Sequence, residues 1–211
     1  VMIAVNRTLG PPWNIWVDQG DSLMLRDASW MQFYVESNQD LVDTILLAFR
    51  VAEDPRILLP AMIAMDGFIT SHTQMAVDLP EQAQVDRYLP PCSIPQRLRA
   101  DHPTTIGGLT WPREPQRHRR DIQHAMDRVP EVLAAAVDEF AGEFKRRPDA
   151  ALSQEHTDDA DIVLIATNTM ARTLRRVVQT RRQQGQRLGM IKLKMFRPFP
   201  REDIRSLLSA A

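Results

Sequence analysis

The sequence predicts an α/β protein, on three observations. Residues 57–65 form a continuous apolar run of strand length, which suits a strand covered by helices on both faces. The run follows an amphipathic helical pattern over 39–53 and ends in a polar cluster, the layout in which open α/β sheets place ligands off their strand tips. Later in the chain a strand at 161–166, a helix at about 170–184 and a strand at 189–196 have the spacing of a βαβ crossover, which implies a parallel pair. With 44% hydrophobic and 25% charged residues, the chain can bury a core over its 211 residues, as one large domain or two small ones.

The elements follow in order. Residues 1–5 read as a buried strand, β-branched and without polar alternation, closed by Arg7 and the backbone-breaking Gly10-Pro11-Pro12. Residues 13–21 carry Asn14, Asp18, Gln19 and Asp21 between and beyond two tryptophans, a polar loop with aromatic anchors. Ser37 or Asn38 is the expected N-cap of the helix at 39–53, whose inner face carries Leu41, Ile45, Ala48 and Ala52, and Asp54-Pro55 stops it. Residues 78–116 hold seven prolines from Pro80 to Pro115, Pro95 among them, plus Gly107-Gly108, and predict an extended surface connector. A helix over 117–147 follows, with a possible kink at Pro130; its apolar positions Ile122, Met126, Val129, Leu133, Val137, Phe140 and Phe144 recur in steps of three and four. Asn168-Thr169 is expected to cap the crossover helix, and Gly185 and Gly189 close it. A short helix at 201–208 ends the pattern. The strand-like start and the stop at Ser209-Ala210-Ala211 make both ends look cut, so the chain is expected to be an internal part of a longer protein.

Composition excludes several function classes. Twenty-six basic residues against twenty-seven acidic ones argue against a dedicated nucleic-acid binder, which needs a basic excess. The lone Cys92 rules out an internal disulfide framework and any zinc or iron–sulfur site built from this chain's own thiolates. The apolar runs are too short to span a bilayer and no secretory leader opens the chain, so a cytoplasmic, membrane-free protein is expected.

Few residues have the pattern of a reactive site. Arg7, at a strand end before a Gly-Pro-Pro turn, could aim its guanidinium fork at a carboxylate; position alone favours a surface arginine or a structural ion pair. Asp66, Gly67, Phe68, Thr70, Ser71 and His72 place a carboxylate, two hydroxyls and an imidazole after the buried strand. A Ser71–His72–Asp66 triad is disfavoured, because triad partners come from separate segments and no nucleophile elbow is present. His118, His124 and His156 lack metal-ligand spacing, so no metal site is expected. Arg172, Arg175, Arg176, Arg181 and Arg182 read first as a solvated helix face partnered by acids, and only second as an anion site. Gly185 and Gly189 precede a strand, the wrong order for a phosphate loop.

Five segments, in register, carry a family resemblance. They are residues 5–10 with 14–19, Arg26-Asp27-Ala28-Ser29-Trp30, the turn Asp66-Gly67-Phe68-Ile69-Thr70-Ser71-His72, Tyr88-Leu89-Pro90-Pro91, and Ile191-Lys192-Leu193-Lys194-Met195-Phe196-Arg197-Pro198-Phe199. Over essentially the whole chain this resembles the α subunit of 2-oxoacid:ferredoxin oxidoreductases, the family of pyruvate:ferredoxin oxidoreductase. The resemblance implies that residues 1–77 are the C-terminal half of a thiamine-diphosphate pyrimidine-binding domain, 78–154 a proline-rich connector and long helix, and 155–211 the start of a transketolase-C-like domain. It implies oxidative decarboxylation of a 2-oxoacid such as pyruvate to an acyl-CoA, with electrons passed to ferredoxin. Pyruvate, 2-oxoglutarate and branched-chain acids all remain open as substrates.

The cofactor would lie at the interface with a β subunit, with Mg2+ and [4Fe-4S] clusters on partner β and ferredoxin-like δ subunits, beside a γ subunit, and none held by this chain alone. Arg7 matches the family arginine that binds the 2-oxoacid carboxylate; Asn14, Ile15 and Asp18 fall in the loop near the substrate, and Asp66 to His72 would position and contact subunits. The family's substrate threonine and activating glutamate belong upstream of Val1, so this chain is expected to carry no catalytic residue and to be inactive alone. Trp13 stands where a smaller residue is usual, and Ala28-Ser29 where Thr-Gly is common. The alternative is a non-catalytic or decayed fragment that serves only subunit association; a nucleotide-binding protein using the basic helix is a third reading.

Overall fold

The computed structural model describes residues 1–10, 12, 14–94 and 97–209. Pro11, Trp13, Pro95, Ala210 and Ala211, named above, lie outside the described residues. Two sheets carry the fold. The first has the order β1-β3-β2-β7, built from β1 (Met2–Asn6), β2 (Met31–Tyr34), β3 (Ala61–Asp66) and β7 (Met195–Arg197). Strand β3 is parallel to both β1 and β2, while β7 runs antiparallel to β2. The second sheet has the order β4-β6-β5, from β4 (Leu152–Glu155), β5 (Ile162–Ala166) and β6 (Leu188–Leu193), with β5 and β6 parallel. Mixed, largely parallel sheets with crossover helices are the α/β class that the sequence predicts.

Helix α2 (Asn38–Ala52) starts where the sequence puts it: the Ser37 hydroxyl accepts from the Asp40 amide and satisfies one orphan donor of the first turn. Its inner residues Leu47, Ala48 and Val51 pack with Phe33 and Ile63 of the sheet and with Leu133, Val137 and Phe140 of α4 (Glu114–Phe144), which runs on through Pro130. Between them, burying Tyr88 adds a hydroxyl that donates to the Ala136 carbonyl at 3.0 Å. That satisfies the only polar atom the ring brings inside.

Several expectations need correction. Strand β1 is not buried: Met2, Ile3 and Val5 are exposed, because β1 is an edge strand that pairs, among the described residues, with β3 alone. The buried run at 57–65 yields a strand only from Ala61, since Ile57 and Leu58 donate to the Asp54 carbonyl in a turn closing α2 and Leu58 takes a positive φ of 47°. Within 78–116 the chain is not wholly extended: α3 (Gln82–Tyr88) forms between Pro80 and Pro90, started by a capping box in which Glu81 and Gln84 satisfy each other's backbone amides. Strands β2 and β4 and the one-turn helix α1 (Gly20–Leu23) were not anticipated. The last helix α6 (Arg201–Ser209) was.

The largest correction concerns residues 189–196, expected to be one strand. The chain changes sheets at Lys194: β6 belongs to the second sheet and β7 to the first. At the crossing, the Lys194 amide donates to Ala151 and its carbonyl accepts from Tyr34 at 2.7 Å. Lys192 and Lys194, two apart and so on one face, are both buried. Their ammonium groups meet Asp40 at 2.9 and 2.7 Å, and Lys192 also reaches Glu36 and Asp149. Burial alone would raise the Asp40 carboxyl, but the two lysines outweigh it and hold the group well below the usual carboxylate range. Burial would likewise lower the Lys192 ammonium; Asp40, Asp149 and Glu36 together push it up instead.

Candidate functional site

Arg7 follows directly on β1, and its backbone amide is fixed by the Asp21 carboxylate at 3.0 Å. Beside it the parallel strand β3 ends in Asp66, and Gly67 donates its amide to the Asn6 carbonyl at 3.2 Å. The Arg7 guanidinium lies against Gly67, with Nη1 buried and without a hydrogen-bond partner among the described residues. A buried cationic donor that is left unpaired is costly unless something else fills it. The site sits at the carboxyl ends of two parallel strands, where α/β sheets gather ligands.

Asp66 holds the surroundings in place. It is buried, and its carboxylate accepts from Gln19 Nε2 (3.1 Å), Asn168 Nδ2 (2.7 Å), the Thr169 amide (3.0 Å) and the Thr169 hydroxyl. One side chain thus joins the loop after β1, the turn after β3 and the first turn of α5 (Asn168–Gln183). This corrects the expected cap. Thr167 is the N-cap and its side chain bonds elsewhere, while Asp66 from a distant segment takes the helix's free amide. A carboxylate there also complements the helix dipole.

The remaining predicted residues are spread around this core. The Ser71 hydroxyl accepts from the Phe68 amide and lies 2.8 Å from His72 Nδ1, but Asp66 faces Gln19 and α5, so the three make no triad. Phe68 takes φ 65° and stacks edge-on to Trp16, with both rings partly in solvent. Thr70 is buried and its hydroxyl has no partner among the described residues. Asn14 and Asp18 accept from the amides of Trp16 (3.0 Å) and Gly20 (2.5 Å), stiffening their own loop; neither they nor Ile15 hydrogen-bond Arg7 among the described residues. Trp16 ties that loop to the arginine strand by accepting from the Thr8 amide at 3.0 Å.

Sequence reasoning missed Gln19, Asn6 and the role of Asn168. Buried Asn6 donates to Ser22 (2.7 Å) and Asp21, bracing the residue before Arg7. A polar residue on the inward face at a strand's end was the available signal. On the basic helix, Arg175 bridges Glu36 and Glu155 and Arg182 meets Asp159, so the solvated, acid-partnered reading holds there. No group of three His, Cys, Asp or Glu side chains able to hold a metal occurs among the described residues.

Residues 1–138 match the family described as pyruvate flavodoxin/ferredoxin oxidoreductase, thiamine diphosphate-binding, and residues 160–211 match pyruvate:ferredoxin oxidoreductase core domain II. The chain belongs to this oxidoreductase family. It is 40% identical, over its whole length, to the pyruvate synthase subunit PorA of Methanothermobacter thermautotrophicus, of which it covers 55%. The ketoisovalerate oxidoreductase subunit VorA of Pyrococcus abyssi is 38% identical over 97% of the chain and 51% of that subunit. This member of the oxidoreductase family thus spans about half the length of the curated relatives it matches. Its fold agrees with that of 2-oxoglutarate:ferredoxin oxidoreductase from Magnetococcus marinus, with TM-score 0.65 and 13% identity over 99% of this chain and 39% of the other.

Proposed function

We propose that the chain forms part of the α subunit of a 2-oxoacid:ferredoxin oxidoreductase, and that Arg7 is the group that takes the substrate carboxylate. The observation that carries this reading is the Arg7 guanidinium at the carboxyl ends of β1 and β3, which pairs with no carboxylate among the described residues. A guanidinium matches a carboxylate with parallel donors and stays charged at any working pH. Anchoring the acid end leaves the neighbouring carbonyl in one orientation, which is how a positioned substrate gains rate. Thiamine diphosphate, held between this chain and a β subunit that carries its Mg2+, supplies the carbanion chemistry when bound. Asn14, Ile15 and Asp18 shape the loop beside the carboxylate, and the turn from Asp66 to His72 holds Arg7's floor and faces a partner.

The same reading assigns CoA as acyl acceptor, β and ferredoxin-like δ subunits with [4Fe-4S] clusters as electron carriers beside a γ subunit, ferredoxin as final acceptor and the cytoplasm as its place. It divides the chain at 1–77, 78–154 and 155–211, with β7 returning from the third part to the sheet of the first. A role in subunit association alone is not favoured, given 40% identity along the whole chain to a pyruvate synthase subunit.

In the full-length complex, Arg7→Ala should lower kcat/KM for every accepted 2-oxoacid by roughly 30-fold to 1,000-fold, the scale expected when one partner of a desolvated charge pair is removed. Unchanged KM and kcat would refute the assignment.

A further inference from the structure

Gly67 is a glycine for want of space. Its φ lies outside the left-handed region, so the backbone itself would accept another residue. A Cβ built there would instead overlap Arg7 Nη1, and would stand 2.6 Å from Arg7 Cζ and 2.5 Å from the Asn6 carbonyl oxygen. The floor and the arginine's root are both fixed: Gly67 is tied to Asn6, Asp66 beside it accepts from Gln19, Asn168 and Thr169, and the Arg7 amide is held by Asp21. The guanidinium is the end of a flexible side chain between these anchors. Its height above the strand tips is set by what lies beneath it.

We infer that Gly67 is a positioning residue for the 2-oxoacid carboxylate: its bare Cα is the seat that fixes the Arg7 guanidinium at the strand tips. The inference rests on the reading that Arg7 holds the carboxylate. A side chain at 67 forces the guanidinium off this seat, and the anchored acid moves with it. A misplacement of about 1 Å can cost on the order of 100-fold in rate. Because the carboxylate is common to all 2-oxoacids, the loss is the same for small and branched substrates, and selectivity ratios stay put.

The test is a double-mutant cycle in the full-length complex, measuring kcat and KM for pyruvate and for a branched 2-oxoacid. Gly67→Ala is expected to cost about 100-fold in kcat/KM in the parent, equally for both substrates, and about 10-fold less than that on top of Arg7→Ala, where the clash with the guanidinium is gone and only that with the Asn6 carbonyl remains. Equal costs in both backgrounds, or a loss confined to one substrate, would overturn the seat. Should Gly67→Ala fail to assemble, guanidinium ion added to the Arg7→Ala complex provides a second reading. A glycine-floored seat should bind it and restore activity at least several-fold in a saturable manner, whereas no recovery would count against a preformed seat. If Arg7→Ala alone leaves the kinetics unchanged, the carboxylate reading itself fails; if it is impaired and the cycle is additive, only the seat fails.

Discussion

Asp66 shows how much one side chain organises here. A buried carboxylate with hydrogen bonds from three residues is stable only while those donors stay in place. Asp66→Ala should destabilise the protein by about 2–4 kcal/mol, since it strands the Asn168 amide and the Thr169 amide in the interior. Hydrogen exchange should then quicken selectively in the first turn of α5 and in residues 66–72; a uniform change across the chain, or none, would show that Asp66 does not link these segments. The sequence made the polar cluster after β3 legible as a candidate site, because carboxylate, hydroxyls and imidazole follow an apolar run. It could not show which way Asp66 faces. That depends on α5, a hundred residues later, whose amides are invisible to local pattern.

At the scale of elements, the hydrophobic period located α2, α4 and α5 closely, as the Ser37 cap and the inward Val129, Leu133, Val137 and Phe140 illustrate. It failed where apolar runs change environment. Residues 189–196 alternate as one strand should, yet the backbone leaves one sheet and joins another at Lys194, and only the pairing of β2 with β7 dictates the break. The lysines on that crossing are matched by Asp40 in the first turn of α2, which gives stability a definite pH dependence. Asp40 is depressed in the fold, so its contribution is complete above the unfolded carboxylate value near about pH 4 and fades as pH falls further, through the folded value. Lys192 is raised, so its share is complete below about pH 10 and is lost as pH rises through its folded value. Asp40→Asn should lower stability at neutral pH by about 3–5 kcal/mol, because it leaves the fully buried Lys194 without its carboxylate. Its acid limb below about pH 4 should also be shallower than the parent's. Parallel acid limbs for variant and parent, in thermal unfolding across pH, would contradict this.

For the whole molecule, the two sheets share a chain crossing, the Lys–Asp cluster and the Asp66 link to α5, so the arginine strand and the later α/β unit are held in one frame. The outer sides of that frame remain apolar: Met2, Ile3 and Val5 on β1, and Ile162, Leu164 and Ile165 on β5, are exposed at sheet edges. Patches of this kind mark surfaces that other polypeptide covers. Family and fold class were legible because motifs and crossover spacing are local. The seat under Arg7 was not, since Gly67 and Arg7 lie sixty residues apart and meet only because β1 and β3 pair. The most direct measurement compares a 2-oxoacid with its uncharged methyl ester as ligands of the full-length complex, before and after Arg7→Ala. The parent should favour the acid by on the order of 100-fold, as a desolvated charge pair demands, and the variant should treat acid and ester nearly alike. A preference for the acid that survives the loss of Arg7 undiminished would contradict the account.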